Sequence, residues 1–436
     1  MNSLNNRIKK ILPYGSRFKL LNVKSVCVEN KSPINYRSND KPKRSLKVKH
    51  YIALLNDEDI ILVGIEIYVY LNIYNDFVDQ LIFVSKCDTT GLRQSPVRVH
   101  YFVKEVLCWL VDFDLHNYCD KVRLKPIKLN DKTRYDGDNL VIKQLNQIIM
   151  NLRQDPDYFK KIPYYNSKKL DDVTDLTHID IPPVRNIKLS LFTRSSEQYL
   201  FPESAKNKFK HVLDGRQLLS WWIKVIDGSL DSKWSCKLMV PGSDSRSIKN
   251  FIEGKMKWTI GNIYTNEADG KDDFAIWKIP LFPDDPKGRF LENLVVEGRA
   301  KSVTSSEFWT ELGFRQEFRL GILVGLIGCE LNNQPVDSSD NLHDTETILN
   351  YRKLTKLMRG ENYNSESDVE ALVQKKIPEL LGPKCYSHLT GLLEIDDSQN
   401  SVKRVGVTTS NDLTSSIKKK PKVQANNLTN LIRRKK

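Results

Sequence analysis

Long apolar stretches dominate the first hundred residues, and apolar residues at helical spacing dominate much of the remaining chain. The segment "HYIALLNDEDIILVGIEIYVYLNIY" (50–74) is rich in Ile, Val and Tyr and is cut once by a polar Asn56–Asp59 turn, so it predicts two strands. "DQLIFVSKCD" (79–88) predicts a third. After the polar loop "TTGLRQS", Val97, Phe102, Val106, Trp109 and Leu110 share one face of a helix starting at Pro96, a residue suited to a first turn. "NLVIKQLNQIIMNLR" (139–153) predicts another helix, "IKLSLFTR" (187–194) a strand, and "DGRQLLSWWIKVI" (214–226) a helix capped by Asp214. Short strands "CKLMV", "WTIGNIYT" and "FAIWKIPL" then alternate with helices from Ser243, Pro286 and Ser305. "TETILNYRKLTKLM" and "DVEALVQKKIPELL" are the last amphipathic helices.

These elements predict an α/β fold: one large mixed domain over residues 1–398, its central β-sheet surrounded by helices. Two polar stretches read as flexible loops, the basic insert 31–49 and the Pro-, Asp- and Lys-rich 154–183, the latter a mobile internal loop. Residues 399–436 are polar and basic, without apolar periodicity, and read as a disordered tail. A content of 40% hydrophobic and 28% charged residues fits a globular body. The formal net charge of +14 changes that picture in one respect, because it is unevenly placed. From Ser401 onward ten Lys and Arg face Asp412 alone, leaving the body about +5. A groove that holds nucleic acid carries its charge on the folded face, so direct nucleic-acid binding is not required. Within the tail, "KKKPKV" (418–423) and "RRKK" (433–436) have the form of nuclear-localisation or acidic-partner segments.

The seven cysteines form no CxxC pair and the seven histidines do not cluster with them. Neither a metal site nor a disulfide framework is signalled, and a reducing compartment is expected. The N-terminal apolar stretch is too short for a signal peptide, and the run near Leu320–Leu331 too short to span a bilayer.

Three segments carry candidate chemistry. "KIPLFPDDPKGRF" (278–290) sets Asp284, Asp285 and Lys287 among three prolines. Asp285 before Pro286 is a natural N-cap, and adjacent side chains diverge, so the two carboxylates do not form a dyad sharing a proton. "SKCDTTGLRQSPVRVH" (85–100) is a strand-to-helix turn whose free N–H groups, with Arg93, Arg98 and His100, favour a phosphate-bearing ligand, although it has neither the P-loop nor the Rossmann glycine spacing. "LFTRSSEQYLFPESAKNKFKHVLDGRQLLSWW" (191–222) concentrates Arg194, Tyr199, Phe201, His211, Trp221 and Trp222. Adjacent tryptophans on a helix diverge, so one of the pair is expected in the core and one against a cavity.

Taken together, "LIFVSKCDTTG", "LFTRSSEQYLFPESAKN", "HVLDGRQL" followed by "WW", "IPLFPDDPKGRF" and "FWTELGFRQEF" resemble, in order and spacing, the fungal histone acetyltransferases called regulator of Ty transposition. The likeness runs from about Leu20 to Leu320, with a weaker match in the C-terminal helices. That family is similar in fold to the CREB-binding-protein acetyltransferases. The resemblance implies transfer of acetyl from acetyl-CoA, as co-substrate and without a metal, to lysines of histone H-three. It further implies presentation by histone chaperones of the anti-silencing and nucleosome-assembly types, in the nucleus, during replication-coupled assembly and genome maintenance. Implied cofactor contacts are Cys87, Asp88, Thr89, Pro96, Val97, Arg98, Val99, His100, Phe192, Arg194, Ser196, His211, Val212, Leu213 and Trp221. Asp285 matches the proposed proton acceptor, with Asp284 beside it. Asp88 and Trp222 match residues shaping the substrate-lysine channel, near Tyr199, and Lys287 matches a self-acetylated buried lysine.

The chain departs from that family at several positions. Glu297-Gly298-Arg299 stands where the family has Glu-Asp-Arg. Pro96, Arg98 and His100 replace Arg, Ser and Arg, and Cys87 replaces alanine. Whatever the donor, an attacking lysine with a reference pKa of about 10.4 must lose its proton first. An aromatic channel disfavours the ammonium by desolvation, and a carboxylate or water takes the proton. The other reading is a non-catalytic chromatin adaptor that binds chaperones or DNA through its basic tail.

Overall fold

The computed structural model describes residues 3–37, 39–124, 176–265, 273–315, 323–336 and 345–394. The described elements up to Leu393 lie in one compact unit. The strands are β1 (Arg17–Ser25), β2 (Cys27–Glu29), β3 (Arg44–Asn56), β4 (Ile61–Ile73), β5 (Phe77–Thr89), β6 (Val122–Arg123), β7 (Leu176–Thr177), β8 (Val184–Arg194), β9 (Ser235–Met239), β10 (Trp258–Ile260), β11 (Val324–Pro335), β12 (Glu346–Ile348) and β13 (Tyr386–Thr390). The helices are α1 (Leu4–Lys9), α2 (Val99–Val111), α3 (His116–Cys119), α4 (Gly215–Ser229), α5 (Ser245–Ile252), α6 (Pro286–Val296), α7 (Ser305–Phe314), α8 (Tyr351–Arg359), α9 (Glu366–Ala371) and α10 (Ile377–Leu381). One mixed sheet runs β10-β9-β11-β8-β5-β4-β3-β2-β6-β7, and β1 joins β3 to β12 and β13. This is the expected α/β architecture with a central sheet and flanking helices.

Strand β4 explains the unbroken apolar run in the sequence. It is hydrogen-bonded on both edges, by β3 and β5, and buried along its whole length. A strand covered on both faces needs no polar alternation. Its odd residues from Val63 to Ile73 enter the main core, where Phe102, Val106 and Leu110 of α2 and Leu219 and Ile226 of α4 also pack. Its even residues Tyr68 and Tyr70 belong to a separate aromatic cluster with Phe83 and Phe282. A third cluster sets α8 to α10 against Leu21, Tyr51 and Ala53 on that second side.

Several expectations need correcting. Arg44–Lys49, read as part of a loop, is the first half of β3, because its alternating Leu46 and Val48 pair into β4. Leu176–Thr177, placed in the second loop, pairs with β6. Helix α2 starts at Val99, not at Pro96, with Arg98 at the N-cap. "FAIWKIPL" forms a 3-10 turn over Ala275–Trp277 in place of a strand, and its Pro280 cannot donate to a ladder. "WTIGNIYT" ends as a strand at Ile260, where the Asn262 side chain accepts from the N–H groups of Tyr264 (2.9 Å) and Thr265 (3.0 Å). Strand β12 takes up the first part of the segment read as one helix before Met358. The predicted helix 139–153, most of the 154–183 loop and the tail beyond Ser398 lie outside the described residues.

One buried polar group makes stability pH-dependent. His50 is fully buried, with Nε2 2.7 Å from the Tyr118 hydroxyl and Trp109 and Phe113 edge-on to its ring. Burial, helped by the Lys24 charge, lowers its pKa to about 3. The folded state therefore holds a neutral imidazole, while the unfolded chain binds a proton below about 6.5. Stability is full above that value and falls as the pH drops toward 3. Between pH 6.5 and 5, before carboxylates titrate, this costs about 2 kcal/mol. Urea unfolding across that window should show the loss in wild type and a flat response in His50→Phe; equal slopes would remove the assignment.

Candidate active site

The site begins with a bulge. Glu66 pairs with Lys86 but Ile67 pairs with Val84, so Ser85 is an extra residue in β5. Before the bulge Val78, Ile82 and Val84 point into the main core; after it Cys87 does. The shift turns Lys86 and Asp88 to the opposite face.

Asp88 then acts as a clamp. One carboxylate oxygen accepts from the backbone N–H groups of Tyr199 (2.7 Å), Leu200 (3.0 Å) and Phe201 (3.4 Å). The other accepts from Thr89 N–H (2.8 Å) and from Lys210 Nζ (2.5 Å). Lys210 also donates to the Thr89 carbonyl and to Ser204 Oγ (3.0 Å). Both side chains are almost wholly buried, so each charge depends on these partners to offset desolvation.

Around this clamp lies a cavity of about 660 Å³, within the range of small-molecule sites. Its walls are the end of β5 (Cys87, Asp88, Thr89), the start of α2 (Val97, Arg98, Val99), the loop His211–Leu213, Ser196 and Tyr199, and Trp221 and Trp222 of α4. Helix α4 is placed by a capping box between Asp214 and Gln217. Both tryptophans line the cavity, ring centroids 4.9 Å apart and edge-to-face, and Trp222 also belongs to the main core. The α2 N-cap, Arg98, makes no side-chain cap bond; Tyr101 N–H donates to the Arg98 carbonyl (3.0 Å), and the N–H groups of Val99 and His100 stay available to an anion. The Tyr199 hydroxyl is buried without a hydrogen-bond partner, and burial pushes its pKa up, so it remains a donor. Burial also pushes the Cys87 thiol up and keeps it protonated.

The other acidic cluster lies outside these walls. Asp285 caps α6 by accepting from Lys287 N–H (3.1 Å), and its second oxygen pairs with Lys287 Nζ. Lys287 is 2% exposed, its ammonium 4.7 Å from the Phe282 ring centroid, and burial pushes its pKa far down. Asp284 sits in the left-handed region (φ 57°) and reaches Lys86 (3.0 Å), whose hydrogen bond lowers its pKa. That ion pair ties the N-terminus of α6 to the residue beside Cys87.

Of the implied cofactor residues, Pro96, His100, Phe192 and Arg194 are not on the cavity wall. His100 lies against Tyr101, ring centroids 4.1 Å apart and tilted by 40°, and burial with the nearby Lys224, Arg98 and Lys104 charges lowers its pKa. Phe192 packs with the α6–α7 cluster, and Arg194 ends β8. Gly298, at φ 73°, closes α6 as its left-handed C-terminal residue, with open space around a Cβ position. The family's acidic residue is thus replaced by one suited to that backbone. Lys210 was missed, because in "KNKFKH" nothing distinguishes it from Lys206 or Lys208. Arg93 lines the cavity but is held by Glu366 (3.0 Å) and Glu58 (3.4 Å).

A mixed sheet ending in an aromatic, anion-ready cavity fits an acyl-CoA-dependent transferase, and comparison gives the family. The histone acetyltransferase KAT11-type domain matches residues 4–379, so the chain belongs to that family and is a lysine acetyltransferase. It is 37% identical to histone acetyltransferase RTT109 of Candida albicans over 345 residues, 79% of this chain and 91% of the relative. It is 30% identical to histone acetyltransferase rtt109 of Schizosaccharomyces pombe, covering 52% of this chain and 68% of that one. In fold it resembles the crystal structure of Rtt109 from Aspergillus fumigatus, with a TM-score of 0.63 and 21% identity over 90% of this chain and all of that one. The family implies acetyl-CoA as co-substrate and a histone as acceptor.

Two substitutions test this geometry. Gly91 is at φ 66° with its missing Cβ aimed at the Lys210 backbone. Gly91→Ala should push the 209–213 loop from its place, weakening coenzyme A binding at least tenfold by calorimetry while the fold persists. Unchanged binding would mean that this loop is not a wall of the site. Asp285→Ala leaves the Lys287 ammonium buried and unpaired, and should cost about 3–5 kcal/mol in denaturant unfolding. Adding Lys287→Met should recover much of it; no recovery would show that the pair is not the cause.

Proposed function

We propose that the chain acetylates lysines of histone H-three, presented by histone chaperones of the anti-silencing and nucleosome-assembly types, in the nucleus during replication-coupled assembly. Its family membership and the implied basic tail support this reading. The observation that carries the site assignment is the cavity in which Tyr199, Trp221 and Trp222 meet the α2 N-terminus beside the buried Asp88–Lys210 pair. In this reading, Val97–Val99 and Arg98 bind the coenzyme phosphates, and His211–Leu213 and Trp221 hold the pantetheine arm. When bound, acetyl-CoA supplies the thioester; every other function falls to the chain's own residues.

Trp222 and Tyr199 line the acceptor-lysine channel. Their rings lower the local polarity, which favours the neutral amine. The amine attacks the thioester carbonyl directly, the C–S bond breaks and the thiol leaves. Cys87, with its thiol protonated, takes no part as a nucleophile. Positioning then supplies most of the rate.

Asp88 and Asp285 are assigned as positioning residues. Asp88 holds the Tyr199 turn and Lys210. Asp285 holds α6 and Lys287, whose acetylation would replace a buried ammonium by a neutral amide and leave the Asp285 carboxylate to its cap. The amine's proton passes to solvent at the open mouth of the cavity. Trp222→Ala and Asp88→Ala should each lower turnover on a histone–chaperone complex at least a hundredfold with labelled acetyl-CoA. Transfer by Asp88→Ala at the wild-type rate would remove the enzyme site from this cavity. Asp285→Asn should keep the ascending limb of the kcat/KM–pH profile at the wild-type midpoint. Loss of that limb would restore Asp285 as the base.

A further inference from the structure

The second face of the sheet carries two lysines that the reaction does not use. Lys47 and Lys49 of β3 lie opposite Tyr70 and Tyr68 of β4. Lys47 Nζ sits 4.8 Å from the Tyr68 ring centroid and 4.9 Å from that of Tyr70. Lys49 Nζ is 5.0 Å from Tyr68 and 5.5 Å from Tyr351. Those tyrosines adjoin Phe83 and Phe282, the rings that wall in Lys287, so three lysines share one aromatic cluster.

Lys47 is half-buried, yet among the described residues no carboxylate or carbonyl accepts from its ammonium. The nearby carboxylate, Glu66, is fully buried and already engaged by the Tyr351 hydroxyl (3.3 Å) and by Arg359 (3.5 Å). The other charges around the pair are cations, with Arg352 and Arg359 acting on Lys49 and Lys49 on Lys47. The rings favour an ammonium, but desolvation and like charge oppose it. The balance puts Lys47 at about 8, lowered by burial first and by Lys49 second, against the weaker pull of Glu66. Near neutral pH a sizeable share of its amine is free to attack.

We propose that Lys47 is an acetyl-acceptor site on this protein: its ring-seated, unpaired ammonium gives one proton to water, and the neutral amine attacks acetyl-CoA, forming an amide as the C–S bond breaks and coenzyme A leaves as the thiol with the second amine proton. The donor is either free acetyl-CoA or acetyl-CoA held by a second enzyme molecule, because Lys47 does not line the cavity of its own chain. Acetylation leaves a neutral amide over Tyr68 and Tyr70 and removes the cation crowding Lys49.

The test uses the full chain with isotope-labelled acetyl-CoA and site occupancy read by peptide mass spectrometry. Exposed Lys233 serves as the reference within the same molecule. At pH 7.5 Lys47 should be labelled at least tenfold faster than Lys233, and its rate should level off above pH 8 while that of Lys233 keeps rising. A rate that rises with enzyme concentration identifies the second molecule as donor; one that does not identifies free acetyl-CoA. Histone acetylation measured in parallel separates an inactive preparation from a failed site. Labelling of Lys47 at the rate and pH dependence of Lys233 would overturn the proposal.

Discussion

The carboxylate of Asp88 is the constraint on which the site depends. It is buried, and water cannot solvate it there. Its charge is tolerated because three consecutive backbone N–H groups converge on one oxygen and Lys210 meets the other. Those partners come from separate parts of the chain. Satisfying one charge therefore fixes the end of β5, the turn at Tyr199 and the loop before α4 in a single arrangement. These are the same segments that enclose the cavity, so its shape follows from the hydrogen-bond requirements of one side chain.

A second buried pair, Asp285 with Lys287, works by the same rule with a different result. Lys287 is surrounded by Phe83, Tyr264 and Phe282, and its partner is also the cap of α6. The pair thus links helix entry to the aromatic cluster, and Asp284 extends the link to Lys86. Asp285 thus caps a helix and meets a buried lysine, and Asp284 meets a half-buried one. Aromatic rings wall both places: Trp222 and Tyr199 line the cavity, and Phe83, Tyr264 and Phe282 surround Lys287.

The sheet separates these tasks. One face packs α2 and α4 and so sets the helix N-terminus and the tryptophans at the mouth of the cavity. The other carries the rings, the lysines and the packing of α8 to α10. The Ser85 bulge lets β5 serve both, because it changes which residues of one strand face which side. Family membership fits this division, and the departures at Cys87 and Gly298 fall where burial or helix termination decides the residue.

By itself the sequence determined the strands at 50–74 and 79–88, the helix capped by Asp214, the cap at Asp285 and the family. Each is a local or ordered pattern: β-branched runs, a capping residue with its partner three positions on, long motifs in sequence. The same local patterns misled at Arg44–Lys49, where charge outweighed alternation, and at 274–281, where apolar residues hid the missing N–H donor of Pro280. Only the tertiary structure decided that Asp88 is a clamp, that Lys210 is its partner, that both tryptophans share one wall, and that Asp285 lies off the cavity. Those facts depend on a one-residue bulge and on contacts between residues over a hundred positions apart, as between Asp88 and Tyr199. Sequence spacing does not record such contacts, because burial, which sets what each charge must find, exists only once the chain has folded.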